Sequence, residues 1–375
     1  MDADDRRLLE AVQTKVPLER RPFAALGAAL GLQEAEVLHR LSALKAEGVI
    51  RQIGAIFDTV RLGYRSCLVA ARVPGERVEA AAQAINDHPG VSHHYERASG
   101  WNLWFTLAVP PDSFLGLEGT AAHLGRLAGA DEVRLLPALR VFKIGVRLDM
   151  DADAPADRKE MTTVVGPHPP TDTPVLDVAD RRAVQLLQAD LPLVPEPFDA
   201  DLLSRAQALL ERGVMRRFAA VLYHRRAGYA ANVLGVWAVP AEQVETVGSQ
   251  IAAFRAVSHC YQRPIYPDWP YSVFSMIHGR SREECNAVLG AISSETRVDD
   301  YAALWSLREF KKVRLRYFTP DHAEWEQRTL AKASLREWAR EEPTRSEAVA
   351  RHPVSLGLGD QPVALTGGRP HGRLD

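Results

Sequence analysis

Cysteine is scarce in this chain of 375 residues. Cys67, Cys260 and Cys285 lie far apart, and no Cys-x-x-Cys motif occurs. This spacing excludes a disulfide framework and argues against an iron–sulfur cluster held by cysteines. No apolar run approaches the ~20 residues that a membrane-spanning helix needs, and no basic-then-apolar secretion signal is present. We therefore expect a soluble, cytoplasmic protein that has no contact with a membrane.

A surplus of positive charge is also missing. The chain has 46 Lys and Arg against 48 Asp and Glu, so its net charge is −2. Proteins that depend on nucleic-acid binding usually carry a basic surface. No group of His, Asp and Glu shows the spacing of metal ligands, so we expect no metal site built by the protein. With 46% apolar residues, the chain can bury substantial cores, and its length suggests two to three domains.

The N-terminal region has the pattern of a helix-turn-helix unit. Apolar residues recur at helical spacing in 4–16, 22–30 and 33–47, and a short strand is expected at 49–53. The third helix sets Glu34, Glu36 and Glu47 against Arg40 and Lys45. Phosphate contacts supply much of the affinity for DNA, and this helix has no basic surplus for them. We therefore expect the unit to serve in packing and not to bind DNA.

A second unit follows with the order β-α-β-β-α-β. Its strands are predicted at 64–73, 91–98, 102–109 and 133–146, and its helices at 76–86 and 113–127. This order is typical of a ferredoxin-like fold.

Beyond a linker rich in Asp, Ala, Pro and Thr, the sequence starts again. Gly213-Val214-Met215-Arg216 matches Gly48-Val49-Ile50-Arg51, but the second copy is shorter by about three helical turns, so about one helix is missing. The fold class is therefore α+β, a tandem repeat of helix-turn-helix and ferredoxin-like units with the second helix-turn-helix truncated. The predicted division is 1–62 helix-turn-helix, 63–148 ferredoxin-like, 149–175 linker, 176–227 truncated helix-turn-helix, 228–320 ferredoxin-like, and 321–375 C-terminal helix and flexible tail.

Two copies of one polar strand are the main functional signal. The sequence VSHHYER at 91–97 is repeated as VSHCYQR at 257–263, so that His93, Tyr95 and Arg97 match His259, Tyr261 and Arg263. Alternate residues of a strand share one face. His and Tyr can transfer protons, and Arg can hold an anion. We predict a site that grips an anionic ligand and moves protons.

A basic cluster precedes the second ferredoxin-like unit. His224, Arg225 and Arg226 stand before Gly228-Tyr229, and the equivalent segment of the first half, 58–64, lacks this cluster. Three cationic side chains beside a glycine would suit carboxylates, although a solvated basic loop would have the same composition. Aromatic residues flank both polar strands; most are expected in the core, and one or two could contact a flat ligand.

The motifs resemble those of a known family. A helix-turn-helix followed by β-α-β-β-α-β resembles the Lrp/AsnC architecture. The motifs VSHHYER with WNLWF at 101–105, FAAVLYHRRAGYAAN at 218–232, and SHCYQR at 258–263 resemble the sirohaem decarboxylase family. The resemblance covers about residues 1–320, and the duplication is similar to the fused form in which two subunit types make one chain.

This resemblance implies the removal of two acetate carboxyl groups from sirohaem as carbon dioxide, giving didecarboxysirohaem on a route to the haem of nitrite reductase. The implied catalytic residues are His224, His259, Tyr261 and Arg263. The implied substrate-binding residues are His93, His94, Tyr95, Arg97, Asn102, Trp104, Arg225, Arg226, Tyr229 and Asn232. No cofactor of its own is expected, because the macrocycle can accept electrons and the iron enters with the sirohaem. The sequence leaves open which His is the acid, and whether the chain forms a homodimer or joins paralogous decarboxylase subunits.

Two alternatives remain at this point. A ligand-sensing transcriptional regulator would be expected to have a basic recognition helix and two intact DNA-reading units, and neither is seen. A tetrapyrrole carrier would share the binding residues without needing paired proton donors.

Overall fold

The computed structural model describes residues 1–144, 174–222 and 231–332. Its helices are α1 Ala3–Thr14, α2 Pro22–Leu30, α3 Glu34–Ala46, α4 Val78–Asn86, α5 Gly116–Ala128, α6 Val178–Leu187, α7 Ala200–Glu211, α8 Val244–Ala253, α9 Arg282–Thr296 and α10 Asp321–Lys332. Its strands are β1 Ile50–Phe57, β2 Arg65–Arg72, β3 Val91–Arg97, β4 Leu103–Val109, β5 Glu132–Leu136, β6 Arg140–Ile144, β7 Met215–Leu222, β8 Ala231–Trp237, β9 Val257–Gln262, β10 Val273–Gly279 and β11 Tyr301–Lys312. Within these ranges, no helix is long and apolar enough to cross a membrane.

The two helix-turn-helix-like units are interlocked. The first has three helices and the second, as its shorter sequence predicts, has two, α6 and α7. Strands β1 and β7 pair antiparallel across the repeat, α1 packs on β7, and α6 packs on β1. Leu9, Phe23 and Leu41 share one buried core with Leu187 and Phe218. Burial of these large side chains, each worth about 1.5–3 kcal/mol, ties the two units together.

The ferredoxin-like units contribute to a nine-stranded sheet in the order β5-β2-β4-β3-β11-β8-β10-β9-β6. Each half has the strand order 4-1-3-2 that a β-α-β-β-α-β chain forms. The long β11 joins them: Tyr301–Trp305 pairs with β8, and Ser306–Lys312 pairs with β3 of the other half. At the far edge, β6 pairs with β9. Each polar strand therefore lies beside a strand from the other half.

The predicted single strand at 133–146 is wrong. Two strands occupy this segment: β5 pairs with β2 of its own half, and β6 pairs with β9 of the other. Pro137 follows β5 directly. A proline has no N–H to give to a sheet ladder, so the strand ends there and the chain can change direction. Strand β11, the fourth strand of the second half, ends at Lys312.

The two faces of the sheet differ. Helices α4, α5, α8 and α9 pack on one face, called here the helix face. Gly248 of α8 lies so close to the sheet that a Cβ would be 2.4 Å from the Phe142 ring, so only glycine fits there. The other face, called here the open face, carries a cluster drawn from both halves that includes Trp104, Leu234, Trp269 and Phe274.

Candidate functional site

A β-bulge arranges the polar row of β3. Val91 pairs with Leu107 and His94 with Phe105, so β3 has one residue more than β4 over this stretch. Bulges redirect side chains, and here Ser92 Oγ lies 3.1 Å from His93 Nδ1. The rings of His93 and Tyr95 are stacked with their centres 6.5 Å apart, and the Arg97 guanidinium lies 5.3 Å from the Tyr95 ring centre.

Strand β9 repeats this arrangement. Val257 and His259 pair with Ile277 and Met276, so Ser258 is the extra residue of the bulge. Its Oγ lies 2.9 Å from His259 Nδ1. The His259 and Tyr261 rings stack at 6.0 Å, and the Arg263 guanidinium lies 4.8 Å from the Tyr261 ring centre. The repeated sequence therefore yields two Ser-His-Tyr-Arg rows on the open face.

Each row ends in a buried arginine that contacts the other half. Arg97 is 3% exposed and donates from Nη1 to Leu304 O at 2.7 Å and to Ser306 Oγ at 3.2 Å. Arg263 is 8% exposed and donates to Leu136 O. Leu304 and Leu136 occupy equivalent positions, opposite Leu234 and Leu68 in the two half-sheets.

Both arginines keep a charge that the described residues do not compensate. No carboxylate in the described ranges forms an ion pair with either guanidinium, and the Nε of each is buried without an acceptor. Burial lowers the pKa of Arg97 to about 10 and also lowers the pKa of Arg263. Arg97 is still cationic at neutral pH. A buried charge without a partner is costly, and an anionic ligand would remove that cost.

His259 and Tyr261 are both uncharged at neutral pH. Burial lowers the pKa of His259 to about 4, and the neighbouring His93 and the charges of Arg263, Arg216 and Lys143 act in the same direction. Burial raises the pKa of Tyr261 to about 12. This strand therefore presents a neutral imidazole and a protonated phenol beside a cation, a combination suited to proton transfer near an anion.

His94 lies on the opposite side of the sheet. It is fully buried on the helix face, where its Nδ1 is 2.9 Å from Asn86 Oδ1 and its ring packs against Phe105 and Phe310. Burial, and then the charge of Lys311, lowers its pKa to about 3. The structure thus separates His94 from the other predicted substrate-binding residues of β3.

Of the remaining predicted residues, three are described. The Asn102 amide bonds to the backbone N and O of Val73 at 3.0 and 2.8 Å and so fixes the end of β2. Trp104 is buried and donates to Trp101 O. Asn232 accepts from Ser306, which in turn accepts from Arg97. His224, Arg225, Arg226 and Tyr229 lie outside the described residues.

Sequence reasoning missed three side chains near the second row. The serine of the motif occurs in both copies, as Ser92 and Ser258, but the motif was interpreted through its His, Tyr and Arg residues alone. His278 Nε2 lies 2.9 Å from Ser258 Oγ; it has no counterpart in the repeat, because Ala108 holds the equivalent place in the β3–β4 hairpin. Arg216 of β7, paired with Asp58 at 2.8 Å, adds a positive charge to the surroundings of His259. In the described ranges, no three His, Cys, Asp or Glu side chains are grouped as metal ligands.

Comparison with known proteins identifies the family. A model of the "Siroheme decarboxylase NirDL-like HTH domain" matches residues 5–51, and one of the "AsnC-like ligand binding domain" matches 61–143 and 226–311. Sirohaem decarboxylase of Hydrogenobacter thermophilus is 40% identical over 329 residues, which cover 85% of this chain and 96% of that protein. This chain belongs to the sirohaem decarboxylase family. The family and the Lrp/AsnC-like fold inferred from the motifs are confirmed.

Other members of the sirohaem decarboxylase family agree with this assignment. The NirDL subunit of Paracoccus denitrificans is 35% identical over 83% of this chain and 96% of its own length. Crystal structures of the sirohaem decarboxylase NirDL, alone and with an iron-uroporphyrin III analogue, match with TM-scores of 0.71 and 0.70 at 34% and 33% identity. Each comparison covers 88% of this chain and 99% of the other.

Half-length relatives match one half of the chain at a time. The beta subunit of the Methanosarcina barkeri enzyme is 41% identical over 38% of this chain and 99% of its own length. The alpha subunit of the Desulfovibrio desulfuricans enzyme is 44% identical over 41% of this chain and 87% of its own length. The internal repeat therefore corresponds in size to separate subunits of related enzymes.

Proposed function

We propose that this protein removes two acetate carboxyl groups from sirohaem as carbon dioxide and yields didecarboxysirohaem. The observation that carries the proposal is the pair of buried arginines, Arg97 and Arg263, each beside a His-Tyr pair and without a carboxylate partner among the described residues. Such arginines suit a ligand that brings its own carboxylates. The iron belongs to the substrate, and we propose no further cofactor.

The reaction needs an electron sink and a proton. When the bond between the acetate methylene and the carboxyl carbon breaks, carbon dioxide leaves and the electron pair stays on the methylene, conjugated with the macrocycle. One proton then converts the methylene into a methyl group. We propose that His259 or His224 delivers this proton and that Tyr261 assists. The trio of His93, Tyr95 and Arg97 binds the macrocycle or serves the second acetate.

The helix-turn-helix region gives no support to the alternative of a regulator. Arg40, on the helix that would enter the DNA groove, is bound to Asp2, Asp5 and Glu36 at 2.7–2.9 Å. Its charge is therefore already compensated by carboxylates and poorly available to phosphates. The family comparisons also favour the enzyme, and we propose no DNA partner.

The decisive experiment is anaerobic incubation of the purified chain with sirohaem, followed by mass spectrometry of the product. We expect the loss of two carbon dioxide units, abolished in His259→Ala. The exposed His39 offers a matched control, since His39→Ala removes an imidazole of α3 that belongs to neither polar strand. Tight binding of sirohaem without any mass change would indicate a carrier and overturn the proposal.

Size-exclusion chromatography with light scattering, with and without substrate, would show whether the chain acts as a homodimer.

A further inference from the structure

His259 stands at the end of a hydrogen-bonded chain of three side chains. His278 Nε2 lies 2.9 Å from Ser258 Oγ, and the same oxygen lies 2.9 Å from His259 Nδ1. The bulge in β9 creates this chain, because it puts Ser258 between an imidazole of β9 and an imidazole of β10. Ser258 Oγ is also 3.3 Å from Met276 O, so its single proton has three candidate acceptors.

A neutral His259 cannot act as an acid by itself. Its pKa of about 4, set by burial and by His93, Arg263, Arg216 and Lys143, leaves one N–H on the ring at neutral pH. Loss of that proton from Nε2 would leave an imidazolate unless Nδ1 gains a proton at the same time. Among the described residues, the side-chain group bonded to Nδ1 is the Ser258 hydroxyl, which can donate one proton while accepting another.

We propose that Ser258 and His278 form a proton relay that makes His259 the acid of the reaction. The inference rests on the proposed function and deepens it. In the relay, His259 Nε2–H goes to the substrate methylene, Ser258 O–H goes to His259 Nδ1, and protonated His278 gives its Nε2–H to Ser258 Oγ. His278 ends neutral, His259 stays neutral as the other tautomer, and one proton has reached the product. After the product leaves, one solvent proton enters at His259 Nε2, the Nδ1 proton of His259 returns to Ser258 Oγ, and the Ser258 proton returns to His278 Nε2, so that each group regains its starting form.

The first half lacks this relay. Ser92 Oγ is bonded to His93 Nδ1 at 3.1 Å and to Thr106 Oγ1 at 2.7 Å. Thr106 also accepts from the backbone N of His93. A threonine hydroxyl does not hold an extra proton at neutral pH, so this chain has no proton to supply. The two rows therefore differ in role. The row of the second half protonates the substrate, and the row of the first half binds it.

The test is a proton inventory of single-turnover decarboxylation in H2O/D2O mixtures, with sirohaem and strictly anaerobic wild-type protein. We expect a curved inventory, because several protons move together. Ser258→Ala and His278→Gln should slow turnover on the order of 10–100-fold and give a linear inventory. Gln can still donate a hydrogen bond to Ser258 but cannot pass a proton on, and Ser258→Thr should restore both rate and curvature.

The equivalent residue of the first half provides the control. Ser92→Ala should weaken sirohaem binding and leave the inventory curved. Rates within twofold of wild type in Ser258→Ala and His278→Gln, or a curved inventory in both, would overturn the relay. So would weaker sirohaem binding with an unchanged rate once the substrate is bound. Failure of the wild-type protein to decarboxylate sirohaem would instead sink the proposed function.

Discussion

Arg97 in the first half donates a hydrogen bond of 2.7 Å to the carbonyl oxygen of Leu304 in the second half. Arg263 makes the reciprocal contact with Leu136 O. The guanidinium at the end of each polar row is thus held by the fourth ferredoxin-like strand of the other half. The arginines of the candidate site therefore also connect the two halves, and each half needs the other to hold the arginine of its own row.

This joint should be sensitive to loss of the arginine. We expect Arg97→Ala to lower the free energy of unfolding by about 1–3 kcal/mol, because the lost packing and the lost donor to Leu304 O exceed the cost of the buried charge that the variant also removes. Arg308 offers a control on the neighbouring strand, since its side chain is 48% exposed and its ion pairs with Glu79 and Glu96 are screened by water. Urea unfolding measures both. Similar losses for the two variants would contradict the structural role given to Arg97.

Separate halves should assemble with each other. Strand β6 belongs to the first half but pairs with β9, and β11 belongs to the second half but pairs with β3. A half alone would expose unpaired edges at its polar strand, and such edges favour aggregation. We expect fragments 1–158 and 159–375 to copurify when expressed together and to aggregate when expressed singly. A soluble, monodisperse 1–158 fragment with native hydrogen-exchange protection in β3 would argue against this interdependence.

Local sequence signals predicted the elements well, and the long-range pairings poorly. The repeated Val-Ser-His-x-Tyr motif marked β3 and β9, and the shorter second copy marked the absence of one helix. Nothing local indicates that β6 leaves its own sheet, because the choice of partner depends on the whole assembly. The resemblance implied that His94 binds the substrate, but the alternation of the strand places it on the helix face. His278 was missed because it has no repeat partner.

The thiols should resist modification in the native state. Cys67, Cys260 and Cys285 are all buried, and burial raises the pKa of Cys67 and of Cys285 to about 12. Burial also raises the pKa of Cys260. Since the thiolate is the reactive form, we expect no rapid reaction with Ellman's reagent at pH 8, and three reactive thiols once urea is added. Fast labelling of one thiol before unfolding would mean that its surroundings open readily.

Glu326 should anchor the start of α10 to α5. Its carboxylate accepts hydrogen bonds from Ser113 Oγ, Phe114 N and Leu115 N at 2.7–3.2 Å, just before α5 begins. A carboxylate at a helix N-terminus satisfies free N–H groups and complements the helix dipole. We expect Glu326→Ala to cost about 1–3 kcal/mol and to speed hydrogen exchange in 113–117. Glu324→Ala, on the exposed side of the same helix, is the control. Equal hydrogen-exchange protection of residues 113–117 in both variants would contradict the anchoring role of Glu326.

His94 should make the protein less stable in acid. Its folded-state pKa is about 3, against 6.5 for the free side chain, so the unfolded chain binds the proton more readily. The contribution of His94 to stability is therefore complete above about pH 6.5 and is lost as the pH falls towards 3. Gln cannot titrate and still offers Asn86 Oδ1 a donor. Between pH 7 and pH 4, we expect the free energy of unfolding to fall by about 2–3 kcal/mol less in His94→Gln than in the wild-type protein. Urea unfolding at a series of pH values measures this difference, and parallel curves for the two proteins would show that His94 is not the titrating group.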